Sequence, residues 1–359
     1  MVRSLLLVLL TFGLTASALA QTVPQGQVSV LGLYQRFNED TFHVSEFSAP
    51  IQATVRFNRS FSASLATSPA VVSGSDVESL SGLSDAQLSM SYRREVGLAS
   101  LIVGLRSNLP SGRRELSIEE FQTAFLASQN YYNFRVPTLG QGFSVSPSLT
   151  WVMPLSETLA LGLGASYQLK GAYNPLEEGL GEYDPGDEIL VLAGLDVRIN
   201  DVTSISLDAT YTTYGTDTIG ETQEFDAGDK ITGTLQFRRY FGFDELRLLA
   251  RFRTRGEGTL FLNAEEFGSA QTVPEQFDAI IRYRARLQQP LFITFTGHAR
   301  IYGETETLAG PVIDSQTLFD LIITPQYRLS PGLGLQAVAG VTVGSLTGYQ
   351  GGFGLTSYF

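Results

Sequence analysis

The chain has 359 residues, 36 acidic against 24 basic side chains, a formal net charge of −12, two histidines and no cysteine. No cysteine means no disulfide framework, no thiolate metal site and no thiol nucleophile, and the acidic balance argues against nucleic acid as a partner. Past the N-terminal segment no run reaches the roughly 18 apolar residues that a membrane-crossing helix needs, yet the mean hydropathy is slightly positive at +0.06, so the apolar residues are dispersed.

Met1-Val2-Arg3 carries one positive charge, Leu5 to Leu10 with Phe12 and Leu14 forms an apolar run, and Ala18-Leu19-Ala20 is a small-x-small cleavage site before Gln21. This pattern predicts a secretory signal peptide over 1–20 and one domain over 21–359. From Gly26 onward one unit repeats: a run of alternating character, then a turn or a longer polar loop. Alternate side chains of a strand point to opposite faces, so the runs predict strands near Gln27 to Phe37, Ser48 to Phe57, Ser60 to Thr67, Ser84 to Arg94 and Leu98 to Ser107. Ser68 to Leu83 reads as a Ser/Gly-rich loop, and His43 falls in the first outer loop.

Residues 108–141 break the rhythm. Ser117-Ile118-Glu119-Glu120 is a capping box, and Ile118, Phe121 and Phe125 follow at helical spacing, which predicts a short amphipathic helix in a long loop. Its apolar row is a candidate constriction over a pore, with packing on the outer rim as the alternative. Strands resume at Phe143 to Met153, with Trp151 at an aromatic girdle, and at Leu159 to Lys170. Past an acidic loop, Leu176 to Asp187, they continue at Glu188 to Ile199, Ser204 to Tyr214, Lys230 to Phe241, Glu245 to Arg255, Phe277 to Leu287, Leu291 to Tyr302, Thr317 to Leu329, Leu333 to Gly344 and Phe353 to Phe359.

Tight connections (Asn58-Arg59, Pro154-Ser156, Asn200-Thr203, Gly242-Asp244, Gln288-Pro290, Ser330-Gly332) alternate with long acidic ones. Short turns at one end and long loops at the other are the pattern of a bacterial transmembrane barrel. In hydrocarbon no backbone group can be left unpaired, so such a sheet must close. The expected fold is therefore all-β: a transmembrane antiparallel up-and-down β-barrel of about sixteen strands, with fourteen as the alternative. The last strand puts Phe353, Leu355 and Phe359 on one face, to close against Gln27 to Phe37.

Giving the apolar parity to lipid assigns the other parity to the lumen. Arg238, Arg247, Arg251, Arg253, Arg255, Arg282, Arg284 and Arg286 then form a basic ladder on one side of an acidic protein. Each would cost about 2–4 kcal/mol on the lipid face near the midplane. Asp196, Asp208, Asp278 and Asp320 are the inward carboxylates expected to pair with it. The ladder either sets a transverse field that selects solutes or holds the wall rigid. His298 shares the lumen face with Thr294 and Thr296. No nucleophile elbow of the G-x-S-x-G type occurs, so no enzyme is expected, and with it no catalytic residue and no cofactor. The Asp184-to-Glu188 and Asp226-to-Asp229 loops lack EF-hand spacing, and no metal site is expected.

Ser81-Gly82-Leu83-Ser84-Asp85-Ala86-Gln87-Leu88-Ser89-Met90-Ser91-Tyr92-Arg93 resembles the Gly-Leu-Gly-Asp entry to a strand ending in Tyr-Arg of the "meta-pathway phenol degradation" outer-membrane proteins, distant relatives of the long-chain fatty acid transporters. Ser84 stands in place of a glycine. Asn108-Leu109-Pro110-Ser111-Gly112 is similar to that family's Leu-Pro-Thr-Gly, and Tyr183-Asp184-Pro185-Gly186-Asp187-Glu188 to its Pro-Gly-Asp outer loop. The resemblance spans about residues 80–200. It implies a monomeric barrel that moves hydrophobic or aromatic compounds. Only Gln21 to Pro24 precede the first strand, so the N-terminal plug of the fatty acid transporters is not expected.

These readings predict an outer-membrane channel of a Gram-negative bacterium for passive uptake of small hydrophobic or amphipathic solutes. A porin using the arginine ladder and a non-conducting structural barrel are the alternatives. The expected partners are the lipid bilayer, lipopolysaccharide, the outer-membrane assembly machinery and a small-molecule solute.

Overall fold

The computed structural model describes residues 25–39, 42–75, 77–177, 181–220, 222–262, 265–305 and 314–359. The expected signal peptide lies outside them. Sixteen antiparallel members close one wall: β1 (Gln25–Glu39), β2 (Phe42–Ser48 continued by Ile51–Arg56), β3 (Phe61–Thr67 continued by Pro69–Gly74), β4 (Val77–Leu83 continued by Ala86–Val96), β5 (Ala99–Leu109), β6 (Ser144–Pro154), β7 (Leu159–Lys170), β8 (Glu188–Asn200), β9 (Thr203–Tyr214), β10 (Lys230–Phe241), β11 (Asp244–Arg255), β12 (Gln276–Gln288), β13 (Leu291–Tyr302), β14 (Gln316–Ser330), β15 (Leu333–Gly344) and β16 (Thr347–Tyr358). The count is sixteen, and the fourteen-strand alternative falls away. One helix, α1 (Ile118–Ser128), lies in the β5–β6 connection.

Closure runs along all of β1, from Gln27 opposite Tyr358 to Asn38 opposite Thr347. Beyond it, the Gly26 amide donates to the Phe359 carbonyl at 2.8 Å and the Phe359 amide to the Gly26 carbonyl at 3.0 Å. A Cβ at Gly26 would stand 2.4 Å from the Phe359 ring, so a glycine there lets the terminal ring lie over β1. Phe353, Leu355 and Phe359 are 79, 52 and 41 % exposed, an apolar row turned outward to lipid.

The sequence reading errs at the outer ends. The expected Ser68-to-Leu83 loop is a hairpin that prolongs β3 and β4 above the wall, paired from Pro69–Leu83 to Gly74–Val77. The second strand begins at Phe42, well before Ser48, so His43 lies on β2 and not in a loop. The last strand begins at Thr347, not Phe353. These extensions reach past the expected lipid belt, where one face no longer has to be apolar, so alternation fades while pairing continues.

The three extended strands bend at one level, at Pro50, Ser68 and Ser84. Pro50 has no amide to give, and its carbonyl accepts from Leu31 at 3.1 Å. Ser84 bridges the break in β3 and β4: its hydroxyl accepts from the Ser68 amide at 2.9 Å, and its carbonyl accepts from the Thr67 hydroxyl at 3.0 Å. Side chains thus replace ladder bonds where the strands turn. A second, five-stranded sheet, Tyr183–Asp184, Thr216–Ile219, Thr222–Asp226, Gly258–Leu262 and Glu265–Ala270, forms among the outer loops. Sequence reading took these segments as acidic loops.

Candidate functional site

The wall face carrying the arginines is opposite to the apolar one. In β11 and β12 the exposed row is Leu248, Phe252, Phe277 and Ile281, while Asp278 on the other face is only 2 % exposed. Register places Arg238, Arg247 and Arg282 side by side across β10, β11 and β12. Arg251 lies opposite Asp278, and Asp278 opposite Arg300. Like charges directly across a sheet repel, so the row stands only with counter-charges or water between them.

Two carboxylates serve this ladder. Glu245, missed in the sequence reading, takes Arg247 at 2.8 Å and Arg238 at 3.4 Å. Asp278 takes Arg253 at 3.1 Å and Arg251 at 3.8 Å, with His298 at 3.0 Å. Arg255 lies 4.4 Å over the Tyr214 ring, Arg284 4.4 Å over Phe292 and Arg286 4.2 Å over Phe243. Arg282 has no ion-pair partner among the described residues. Asp320 sits on the same network through His298 at 3.5 Å and belongs mainly to Arg300, which it grips with both oxygens at 3.0 Å. Asp196 accepts instead from the Ser206 hydroxyl, and Asp208 makes no ion pair among the described residues. The structure therefore brings Asp278 to the ladder, ties Asp320 to it through His298, and leaves Asp196 and Asp208 apart on β8 and β9.

Strands eight places apart in a ring of sixteen stand across the lumen from one another. Facing β10–β13 are β2–β5, whose inward side chains at mid-height are mainly small, Thr54 opposite Ser64, Ser64 opposite Ser89, Ser62 opposite Ser91, and Ser91 opposite Gly104, with Arg56 opposite Ser62 and Arg106 opposite Ser89 toward the two ends. A dense row of cationic arms on one wall thus faces mostly small side chains, with a few separate arginines, on the other.

The mouth is narrowed by the β5–β6 connection. Helix α1 has the predicted capping box, with the Glu120 amide donating to the Ser117 hydroxyl at 3.2 Å and the Ser117 amide to the Glu120 carboxylate at 3.1 Å. The helix packs against the 77–83 segment at Thr123, whose hydroxyl donates to the Glu78 carbonyl at 2.7 Å, while Ala127 is buried in the cluster with Phe37, Val44 and Val72. Ile118, Phe121 and Phe125 are 57, 40 and 62 % exposed; the helix turns its small residues, not this row, to the wall.

The tight packing comes from residues after the helix, which sequence reading did not single out. Tyr132 and Phe134 pack with Phe37, Val44 and Val72 on one side and Tyr302, Leu318 and Leu346 on the other. This strap is tied to the wall by polar bonds as well. The Val136 amide donates to the buried Glu46 carboxylate at 3.1 Å, the Arg135 amide to Gln35 at 2.8 Å, and Arg300 to the Tyr131 carbonyl at 2.6 Å. Asn133, at φ 53°, takes the left-handed turn that asparagine tolerates. Burial raises the Tyr131 and Tyr132 phenols above the usual tyrosine range, so these two rings stay uncharged.

The loop motifs have visible work. Asp85 accepts from the Asn108 side chain at 2.7 Å, the Gly112 amide at 2.8 Å and the Gln141 amide at 2.7 Å, fastening both ends of the 110–141 loop. A Cβ at Gly112 would lie 2.2 Å from the Leu139 carbonyl oxygen. Asp187 accepts from the Lys170 amide at 2.9 Å. Above β5–β8 these anchors enclose a cavity of about 530 Å³ lined in part by Arg106, Lys170, Tyr173 and Tyr183. Burial first, and then Asp217, raises the Tyr183 phenol.

A closed sixteen-strand wall, apolar outside and polar inside, is a β-barrel of the outer-membrane, porin-like type. Solved structures with a similar outline include OccK7 (OpdD) of Pseudomonas aeruginosa, at 10% identity over 94% of this chain and 98% of that one with a TM-score of 0.47. OprB of Pseudomonas putida is 9% identical over 94% of each chain, with a TM-score of 0.47. An anion-selective porin from Comamonas acidovorans is 9% identical over 94% and 100%, with a TM-score of 0.42. No family model matches the chain, and no curated protein matches it.

Proposed function

We propose that the protein is an outer-membrane channel for the passive uptake of small amphipathic solutes, and that its lumen favours those with an anionic head. The observation that carries this reading is the asymmetry of the lumen. Of the eight ladder arginines four pair with Glu245 or Asp278, and the ladder faces a wall whose mid-height side chains are mainly serine, threonine and glycine. A wall built only for rigidity would pair its charges; here the cationic excess is left to water and to whatever passes, and such a field draws anions. The strap Asn130 to Val136, packed on the inner wall, narrows the mouth. The resemblance of the 81–93, 108–112 and 183–188 stretches adds support for a solute with an apolar or aromatic body. The apolar belt meets the bilayer, and the acidic outer loops meet lipopolysaccharide through divalent ions.

Purified protein in a planar bilayer tests this. Current steps with a reversal potential on the anion side of a KCl gradient are expected. A silent barrel would support the structural alternative.

A further inference from the structure

The ladder is not uniform. Toward the turn end of the barrel, Arg247, Arg282, Arg284, Thr294, Thr296 and Thr324 surround a lumen cavity of about 380 Å³. Register makes this a compact array: Arg247 lies opposite Arg282, Arg282 opposite Thr296, Arg284 opposite Thr294, and Thr294 opposite Thr324. The one carboxylate on the cavity, Glu245, is already shared by Arg238 and Arg247. Arg284 lies over the Phe292 ring and makes no ion pair, although Glu245 stands opposite it in register, and Arg282 has no acidic partner among the described residues. The hydroxyls of Thr294, Thr296 and Thr324 make no hydrogen bond among the described residues. Two guanidinium groups without carboxylates and three hydroxyls without partners therefore converge on one space, all on donor-bearing side chains.

We infer that this cavity is a discrete oxoanion site, which holds a carboxylate or phosphate group of a passing solute between Arg282 and Arg284 with the threonine hydroxyls completing its shell. Guanidinium groups present paired N–H donors at the spacing of two oxygens on one centre, and an anion bound here relieves the repulsion along Arg238, Arg247 and Arg282. The site lies past the strap, so a solute reaches it after entering the lumen. Flux of oxoanions through the channel then saturates, while chloride, with no pair of oxygens to match a guanidinium fork, is held more weakly and saturates only at far higher concentration. The inference rests on the channel reading above and adds a place where the solute stops.

The test is block of chloride current in planar bilayers by propionate and, separately, by inorganic phosphate. At least one of them is expected to block with a saturable dose dependence. In the Arg282→Ser/Arg284→Ser variant the half-blocking concentration rises by at least about tenfold, the scale of one lost charge-assisted hydrogen bond. Thr294→Val/Thr296→Val, which keeps side-chain volume and all charges, weakens block by a smaller factor. In parallel, the blocking anion raises the unfolding temperature of the refolded wild-type protein, since a ligand of the folded state stabilises it, and does not do so for the arginine variant. Absence of block by both anions in a conducting wild-type channel, or block that is unchanged in the arginine variant, overturns the site. Absence of any current overturns the channel reading instead, and the thermal shift then still reads the site on its own.

Discussion

Arg300, on β13, donates to the carbonyl of Tyr131 at 2.6 Å while both oxygens of Asp320 hold its guanidinium at 3.0 Å. One buried side chain thus joins the wall to the strap that crosses its mouth. Arg300 is 2 % exposed and Asp320 5 %, so the pair has no water to fall back on. Arg300→Met leaves Asp320 as a buried charge with only His298 and Thr342 beside it. Loss of one partner of a buried pair costs about 3–5 kcal/mol, to be read from urea unfolding in vesicles. Single-channel conductance rises in the same variant, because the strap loses one of its ties to the wall.

The strap itself is tested by replacing Asn130–Val136 with glycine and serine. Tyr132 and Phe134 then no longer fill the space between Phe37 and Tyr302. Conductance is expected to increase severalfold with the barrel still assembled. Unchanged conductance would mean that the narrowest point lies elsewhere in the lumen.

The ladder predicts a selectivity shift. Replacing Arg251, Arg253 and Arg284 with serine removes three positive charges and leaves Asp278 with His298 and Gln276. The reversal potential under a salt gradient moves toward cation selectivity. A value equal to that of the wild type would make the ladder structural.

Closure depends on the contact between Gly26 and Phe359. Gly26→Leu puts a side chain where the Phe359 ring now lies, and deletion of Phe359 removes both hydrogen bonds to Gly26. Each is expected to lower the yield of heat-resistant folded barrel in the outer membrane. The channels that do assemble keep wild-type conductance, since Phe359 faces away from the lumen.

Parity made the wall legible. Wherever lipid must meet one face, as in β7 or β12, sequence alone separates outward from inward side chains, and it located the ladder and the carboxylate Asp278 that serves it. What escaped lies beyond the lipid, where that constraint ends. Pro69–Gly74 and Val77–Leu83 pair as strands while their inward faces pack on α1 and the strap, so Leu80 and Val72 follow no lipid rule. The strap was illegible for a different reason. Tyr131 meets Arg300 across 169 residues and Val136 meets Glu46 across 90, and no local pattern carries such contacts. The helix did leave a signal: Thr123 and Ala127, four apart, are the small residues that a close approach to the wall requires, on the face opposite the apolar row Ile118, Phe121 and Phe125.

A channel of this kind needs a lumen that conducts and carries a net cationic field. The reversal potential of single channels in a planar bilayer, under a tenfold KCl gradient, measures both at once. Discrete current steps with a potential set chiefly by chloride are the expected result; a bilayer that stays silent, or a potential set by potassium, would contradict it.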